Sequence, residues 1–327
     1  MPKGFSRLPL MPSLRPLSSR AQRGICFFFF VLVLSTTIAF AQPKRPKILR
    51  IFDVRISVSD PGAAQEFYSD LTGLDLVCHW CETSRPAAVF PSGQALRIVP
   101  GESAERANRV IEISFAVDNL EALKRLLQAN HVTVKDGAPE SGVPSVLVQD
   151  PENNALRFVP DMITVRPKLV GEKNKLPAQS QSLIPKRLIH AGFVVKDRAA
   201  MDKFYKDILG FHVYWSGGMK DGETDWVDMQ LPDGTDWIEY MLNVPDNADK
   251  RTLGIMNHIA LGVPDVHAAA KELESTRMKL SEQPQIGRDG KWQLNLYDPD
   301  GTRVEFMEFT PVEKPCCSDY PGPHPIP

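Results

Sequence analysis

Four short apolar segments, each ending in an acidic turn, recur along the chain. They read FDVRISVSD from Phe52, IEISFAVDN from Ile111, IHAGFVVKD from Ile189 and NHIALGVPD from Asn257. After each segment, apolar residues recur at the i, i+3 and i+4 spacing of an amphipathic helix. Short alternating stretches follow, and signals such as the Pro-Asp-Gly turn at 232–234 separate them, as turns separate the strands of hairpins. The pattern therefore predicts four units, each of one strand, one helix and three strands.

The predicted helices of the first and third units share a motif. They carry FYSDLTGL from Phe67 and FYKDILGF from Phe204. Such a repeat indicates that two units make one domain and that the chain holds two domains of the α+β class. We assign residues 42–160 to the first domain and 186–312 to the second. Residues 161–185 are the predicted linker, and 313–327 are a Pro-rich tail without periodicity.

Composition is that of an ordinary globular protein, with 43% hydrophobic and 24% charged residues. The net charge is −2, and the 38 basic residues are scattered along the chain. No basic stripe is available for a phosphate backbone, so nucleic acid is not an expected partner.

The N-terminus has the order of a secretory signal. Arg15, Arg20 and Arg23 precede the apolar run from Ile25 to Phe40, and the small-x-small sequence Ala-Phe-Ala ends at Ala41. We therefore expect residues 1–41 to be removed and the mature protein to be periplasmic or secreted. The run is shorter than the roughly 20 residues of a spanning helix, so no stable membrane span is expected after cleavage. An uncleaved N-terminal anchor is the alternative.

Export would place Cys78, Cys81, Cys316 and Cys317 in an oxidising compartment where they could pair. Cys78 and Cys81 lie three residues apart in an apparent strand, about 10 Å, which is beyond the reach of a disulfide. The sequence leaves the pairing open.

Each half of the second domain offers one His on its first strand and one Glu on its last strand. These residues are His190 and Glu239 in one half, and His258 and Glu305 in the other. Glu239 follows His190 by 49 residues, and Glu305 follows His258 by 47. Because these two separations are nearly equal, a pseudo-twofold axis would bring all four side chains together. Alternate residues of a strand share a face, so small residues such as Gly192 would leave room beside the histidines.

Two imidazoles and two carboxylates suit one divalent ion such as Zn, Ni, Co, Mn or Fe better than Mg or Ca. Four ligands leave room for two neighbouring oxygens of a substrate, and Glu305 or Glu239 could remove a proton from the carbon between them. A lone strand His or a lone Glu beside a turn is more often structural. Four such residues at symmetry-related positions reverse that judgement. The other histidines lack the pattern and are interpreted as structural or surface residues.

The first domain has lost this set of residues. Aligning the repeats places Asp53 against His190, Ile98 against Glu239, Glu112 against His258 and Arg157 against Glu305. Neither an isoleucine nor a guanidinium group binds metal, so no metal is expected here. One hypothesis is that Arg157 takes the place of the cation and pairs with Asp53 or Glu112. The alternative is that these three residues are separately exposed.

The paired units, the FYxDxxG helix and the DPDGxxxEF hairpin resemble the vicinal oxygen chelate superfamily over residues 48–312. That superfamily includes glyoxalase I, extradiol dioxygenases, methylmalonyl-CoA epimerases and antibiotic-resistance binding proteins. The segments RLIHAGFVV, DWIEYMLN, NHIALGV and DPDGTRVEF are most similar to bacterial glyoxalase I. The resemblance implies two domains, each built from two βαβββ repeats that form a cup-shaped mixed sheet with helices outside.

The resemblance implies a metal-dependent lyase or isomerase that acts on a small substrate with vicinal oxygens through an enediolate-like intermediate. His190, Glu239, His258 and Glu305 would be the ligands, with Asn243 and Trp237 as candidate substrate contacts. Val194 stands where the bacterial enzymes carry an Arg that binds glutathione, so the usual glutathione hemithioacetal is not the expected substrate. A homodimer is also open, because relatives sometimes build this site across two chains.

Two other functions remain open. An extradiol-type dioxygenase would use His190, His258 and Glu305 on Fe(II), but the further His and Tyr of that family have no counterpart before the turn at Asp298. A non-catalytic binding protein is the second alternative, and it applies best to the first domain. Trp226, Trp237 and Trp292 could line an apolar pocket or fill the core.

Overall fold

The computed structural model describes residues 44–74, 76, 87–101, 108–140, 142–162, 185–276 and 278–327. The predicted signal at 1–41, the pair Cys78 and Cys81 and most of the predicted linker lie outside the described residues. No helix of the described ranges is long and apolar enough to cross a membrane.

The first half of the described chain contains seven strands and two helices. They are β1 (Ile48–Val58), α1 (Pro61–Thr72), β2 (Ala87–Val89), β3 (Ala95–Pro100), β4 (Val110–Val117), α2 (Leu120–Ala129), β5 (Lys135–Glu140), β6 (Val143–Gln149) and β7 (Ala155–Pro160). The strands form one mixed sheet in the order β2-β3-β1-β4-β7-β6-β5.

The second half repeats this arrangement with one strand and one helix more among the described residues. Its elements are β8 (Arg187–Val194), α3 (Arg198–Asp202, continued by a π-helical turn Lys203–Ile208), β9 (His212–Gly217), β10 (Trp226–Gln230), β11 (Trp237–Met241), α4 (Lys250–Met256), β12 (His258–Val263), α5 (Val266–Glu274), β13 (Gln285–Ile286), β14 (Trp292–Tyr297) and β15 (Arg303–Glu308). The sheet order is β13-β14-β15-β12-β8-β11-β10-β9.

The acidic turns that close the four apolar segments are the starts of helices. Asp60 accepts hydrogen bonds from the backbone of Gly62 and Ala63 at the start of α1. Asn119, Asp197 and Asp265 cap α2, α3 and α5 in the same way. A side-chain oxygen at this position satisfies backbone N–H groups that the first helical turn leaves free. Each strand therefore ends where its helix begins, as the sequence pattern predicts.

In both sheets the first strands of the two units lie side by side and antiparallel, and each is flanked by the last strand of its own unit in parallel. β8 pairs with β12 and β11, and β12 pairs with β15. In the first sheet, β1, β3, β4 and β7 occupy the equivalent places. The prediction of an α+β fold with two pseudo-twofold domains of mixed, curled sheet is confirmed.

Candidate metal centre

The four predicted ligands lie on the four central strands of the second sheet. His190 is on β8 and faces Ala260 of β12 in the register, and Ala260 faces Glu305 of β15. On the other side of β8, Glu239 of β11 faces Gly192. Because residues two apart on a strand point to the same face, this register turns all four side chains to the same face of the sheet.

The side-chain atoms of the four residues converge. Nε2 of His190 lies 3.0 Å from Nε2 of His258. Oε2 of Glu239 is 2.9 Å from Nε2 of His258 and 3.5 Å from Nε2 of His190. Oε2 of Glu305 is 3.7 Å and 3.9 Å from the same two nitrogens. The structure therefore brings His190, His258 and Glu305 into one cluster, and it brings Glu239 to the two histidines of that cluster.

Glycine at position 192 makes this convergence possible. A Cβ atom there would lie 2.1 Å from Cε1 of the His258 ring, closer than the 3.0 Å below which real Cβ contacts essentially never occur. The ring of His258 occupies the space over Gly192 and points toward His190. A larger residue at 192 would displace the ring, so the glycine is needed for close approach rather than for its backbone angles.

Both imidazoles are neutral. Burial lowers the pKa of His190 and of His258 well below the usual range, because the charged form loses its hydration. Nδ1 of His258 lies 3.0 Å from the carbonyl oxygen of Met256, which can only accept a hydrogen bond. The proton of His258 is therefore on Nδ1, and the lone pair of Nε2 points at the other three side chains. The contacts between histidine and glutamate are consequently not ion pairs.

Glu305 is almost fully buried, and Glu239 is slightly more exposed, with a side-chain exposure of 13%. Burial raises the pKa of Glu305 to about 8, because water no longer stabilises the carboxylate; Arg303 opposes the rise. Such a carboxyl group is stabilised in its charged form by a cation held beside it.

The arrangement fits a divalent metal ion. Ligand atoms about 2.1 Å from one ion are about 3.0 Å apart when they bind at right angles and about 4.2 Å apart when they bind on opposite sides. The separations between histidine nitrogens and between these nitrogens and the carboxylate oxygens, from 2.9 to 3.9 Å, are close to this range. Atoms of His190, His258 and Glu305 lie within 4.8 Å of one another. Two neutral nitrogen donors with two carboxylates form a ligand set for a borderline metal.

A cavity of about 320 Å³ opens beside the four residues. Trp237 lines it, is fully buried, and packs its indole ring 4.9 Å from the ring of His190. Trp215, Trp226 and Met307 supply further apolar wall. A volume near the lower end of small-molecule sites indicates a small ligand. A second hollow, of about 470 Å³ near Lys44, contains none of these residues.

Asn243 is not brought to the cavity, and this corrects its prediction as a substrate contact. Its backbone has a positive φ of 58°. Its side-chain amide donates to the carbonyl oxygen of Thr224 at 3.1 Å and to a carboxylate oxygen of Asp225 at 2.8 Å. Asparagine favours this left-handed turn conformation, so the residue closes the loop after β11. Of the other tryptophans, Trp226 lines the cavity, while Trp292 packs on the core and on His267.

Three polar residues of the site were missed from the sequence. Burial raises the pKa of Asp228, which faces Glu239 in the register of β10 and β11. Burial also lowers the pKa of Lys291, whose Nζ lies 4.6 Å from the ring centre of Trp237. Arg303 places Nη2 2.7 Å from Nε2 of His258. Arg303, two positions from Glu305, and Asp228, which faces Glu239 across a hairpin, could have been found from the sequence, whereas no such signal marks Lys291.

In the first domain the strand register corrects one predicted equivalence. Asp53 of β1 pairs with Ala95 of β3, and its equivalent, His190 of β8, pairs with Trp237 of β11. Glu239 lies two residues after Trp237, and Arg97 lies two residues after Ala95. The residue equivalent to Glu239 is therefore Arg97, and not Ile98 as the sequence alignment predicted. Ile98 is fully buried on the opposite face, because adjacent residues of a strand point to opposite sides.

The first domain holds an ion-pair cluster where the second has its four ligands. Arg157 donates to both carboxylate oxygens of Glu112, at 2.7 and 3.1 Å. Nε of Arg55 is 3.2 Å from Glu112 and 3.5 Å from Asp53, and Arg97 donates to Asp53. The geometry agrees with the hypothesis that Arg157 pairs with Glu112, and it adds two further guanidinium groups to this cluster.

Known proteins resemble this chain in two ways. The family described as "Glyoxalase/Bleomycin resistance protein/Dioxygenase superfamily" matches residues 187–306. A probable chloroplastic lactoylglutathione lyase of Arabidopsis thaliana is 25% identical over 136 residues, which is 40% of this chain. The match spans 38% of that relative's length, less than half of it.

Solved structures of extradiol dioxygenases share the fold over both halves. The 2,3-dioxygenase LapB from Pseudomonas sp. KL28 has a TM-score of 0.61 at 15% identity, covering 87% of this chain and 96% of its own. Homoprotocatechuate 2,3-dioxygenase from Arthrobacter globiformis has a TM-score of 0.59 at 18% identity, covering 82% of each chain. The model of that superfamily therefore matches the second half of this chain, and the two halves together share a two-domain vicinal-oxygen-chelate fold with the solved dioxygenases.

Proposed function

We propose that the chain is an exported, metal-dependent lyase or isomerase of the glyoxalase type. The observation that carries the proposal is the convergence of two neutral imidazoles and two carboxylates, with Glu239 Oε2 2.9 Å from His258 Nε2. The probable lactoylglutathione lyase of Arabidopsis thaliana aligns with part of the chain and supports the same class. His190, Glu239, His258 and Glu305 would hold the ion.

Each residue of the site has a chemical task in this reaction. A bound divalent ion would act as a Lewis acid toward two neighbouring oxygens of the substrate. Glu239 and Glu305 both border this space; one would remove a proton from a carbon that bears one of those oxygens, and a proton would return to the same carbon or to the adjacent oxygen-bearing carbon. Trp215, Trp226 and Trp237 would exclude water from the site, which strengthens electrostatic interactions there.

Proton transfer at carbon supplies the test. The protein is loaded with Ni, Co, Zn, Mn or Fe and incubated in deuterated water with hemithioacetals of 2-oxoaldehydes and several small thiols. We expect at least one metal to give a product that carries deuterium on its hydroxyl-bearing carbon. The rate of this reaction should fall about 10²-fold or more in Glu239→Gln and in Glu305→Gln. His267→Ala, which changes a histidine outside the site, is the control. Equal rates in all variants would refute the assignment.

An extradiol-type dioxygenase is the second candidate. Atoms of His190, His258 and Glu305 lie within 4.8 Å of one another, which is the ligand set of that class. The two-domain fold is also that of the dioxygenases with solved structures. Oxygen consumption by the Fe(II)-loaded protein with a panel of catechols discriminates the two functions, because the isomerase consumes no oxygen.

Export is tested separately from catalysis. The proposal predicts that protein recovered from the periplasm or medium begins at Gln42. An N-terminal sequence starting at Met1 or Met11 would contradict cleavage and would favour the alternative of an N-terminal membrane anchor.

A further inference from the structure

Arg303 lies beside the candidate metal centre without a carboxylate partner. It is on β15, two residues before Glu305, so both side chains emerge on the same face. Its Nη2 lies 2.7 Å from Nε2 of His258. Its Nε is buried and has no hydrogen-bond acceptor, and among the described residues the guanidinium forms no ion pair. The polar contact of Arg303 in this structure is therefore one histidine lone pair.

That lone pair is the one a metal ion would use. The proton of His258 is on Nδ1, where it is donated to Met256, so Nε2 has a single lone pair to offer. Nε2 cannot bind a metal and accept from Arg303 at the same time. When His258 binds a metal, the guanidinium loses its acceptor, and a largely buried cation without a partner is costly. An anion from outside the chain would supply that partner.

The position of Arg303 limits where such an anion can be. Because Nη2 reaches a ligand atom directly, the guanidinium borders the space in which two substrate oxygens would lie. Asn295 faces Glu305 in the register of β14 and β15 and also lines the cavity, and its Oδ1 is buried without a donor. A guanidinium group without a carboxylate partner and an amide oxygen without a hydrogen-bond donor thus lie beside the same ligand cluster.

Comparison of the two domains shows that the fold does not require Arg303. Glu305 is equivalent to Arg157, because both face the strand residue opposite the first ligand position. Counting two residues back along each strand places Ala155 at the position of Arg303. By the same register, Leu147 stands where the second domain has Asn295. The two polar residues are thus confined to the domain that has the four metal-binding side chains.

We propose that Arg303 binds a negatively charged oxygen of the substrate, and that the substrate is a small carboxylic acid with an oxygen and a hydrogen on the neighbouring carbon, such as a 2-hydroxy acid. The proposal rests on the proposed function, because it requires that the four residues hold a metal. A guanidinium group matches a carboxylate with two parallel hydrogen bonds. A cavity of about 320 Å³ accommodates a small acid beside the ligand cluster.

The test uses the Co(II)-loaded protein and measures binding instead of turnover. Oxalate, pyruvate and neutral hydroxyacetone are titrated while the visible absorption of Co(II) is recorded. Arg303→Met should weaken the binding of oxalate and pyruvate about 10-fold or more and leave that of hydroxyacetone unchanged. Arg288→Met is the matched control. Arg288 lines the same cavity but is already held by Asp221 and by the carbonyl oxygen of Gly218.

The metal affinity of the variants separates this inference from the proposed function. Arg303→Met should bind Co(II) at least as tightly as the unchanged protein, because it removes a competitor for the lone pair of His258. Equal oxalate affinity in both proteins would overturn the role of Arg303 and leave the metal site intact. A drop in Co(II) affinity would instead show that Arg303 positions His258. Failure of the unchanged protein to bind Co(II) would overturn the proposed function itself.

Discussion

The size of the side chain at position 192, and at the equivalent position of the first domain, determines which side chains can lie together there. Gly192 leaves space for the ring of His258, which would collide with a Cβ atom. The equivalent residue of the first domain is Arg55, since Arg55 faces Glu112 as Gly192 faces His258. The guanidinium of Arg55 and the carboxylate of Glu112 then pair in the space that the second domain gives to an imidazole.

The ion-pair cluster predicts unequal effects of removing its members. Replacing Glu112 with Gln would leave three guanidinium groups against the carboxylate of Asp53. We expect a loss of about 3–5 kcal/mol in the free energy of unfolding. Replacing Arg157 with Met should cost less, about 1–2 kcal/mol, because Arg55 remains 3.2 Å from Glu112. Urea denaturation of both variants checks the order, and equal losses would contradict the charge balance described here.

The raised pKa of Glu305 leads to a prediction of how metal affinity depends on pH. Burial raises its pKa to about 8, so below that pH the metal-free protein holds a proton that the metal must displace. Affinity should rise about tenfold per pH unit up to about pH 8 and then level off. The histidines add no step in this range, since their pKa values are lowered. Titration calorimetry between pH 6 and 9 measures the slope, and a flat profile would contradict the assignment.

At the scale of elements, the strand periodicity predicts side chains that the structure brings close together, but it misplaces one equivalence in the first domain. The strands and turns of the second domain are well marked in the sequence. The pattern therefore predicts His190, His258 and Glu305 as site residues. The turn before β3, residues 90–94, is one residue shorter than its counterpart, residues 231–236, so an alignment of the two repeats selects Ile98 in place of Arg97. A slip of one residue moves a side chain to the other face of a sheet, and only the pairing of β1 with β3 fixes it.

The C-terminal tail shows what periodicity cannot predict. Its residues form no helix or strand in the described structure, yet they pack along β9 and β10. The carbonyl oxygen of Cys316 accepts from the indole N–H of Trp215, and Oη of Tyr320 donates to the backbone oxygen of Asp289 at 2.8 Å. The ring of Tyr320 also lies 4.9 Å from Nζ of Lys291. Specific single contacts, and no repeating pattern, hold this segment.

Removal of the tail should therefore disturb the cavity. In a chain that ends at Val312, Trp215 loses an acceptor and the buried cation of Lys291 loses one of its aromatic faces. We expect a red shift of tryptophan fluorescence and a lower melting temperature. Tyr320→Phe should produce about 1 kcal/mol of destabilisation, because it removes the hydrogen bond from Tyr320 to the backbone oxygen of Asp289. An unchanged spectrum after truncation would show that the tail is dispensable.

At the scale of the whole molecule, the repeated motifs connect the two domains. Tyr68 of the first FYxD helix donates to Asp298 in the second domain's turn at 3.0 Å. Its counterpart Tyr205 donates to Asp150 in the first domain's turn, also at 3.0 Å. The residues that identify the fold in the sequence are therefore the ones that join its halves, which periodicity within one unit does not reveal.

This reciprocal arrangement predicts matched effects on stability. Tyr68→Phe and Tyr205→Phe each remove one buried hydrogen bond to a carboxylate, and each should cost about 1.5–3 kcal/mol. Because both bonds join the same two halves, unfolding should remain a single transition in either variant. Differential scanning calorimetry measures both quantities. Two separate transitions, or a loss in only one variant, would contradict the reciprocal arrangement.

The metal content of the protein comprising residues 42–327, the form expected after the proposed cleavage, tests the central claim most directly. Metal-free protein is titrated with Co(II), Ni(II) or Zn(II), and bound ion is counted by elemental analysis after gel filtration. The account predicts one ion per chain, held by His190, Glu239, His258 and Glu305. The ion should be lost in His258→Ala and retained in His267→Ala. Two ions per chain, or one ion that survives His258→Ala, would contradict it.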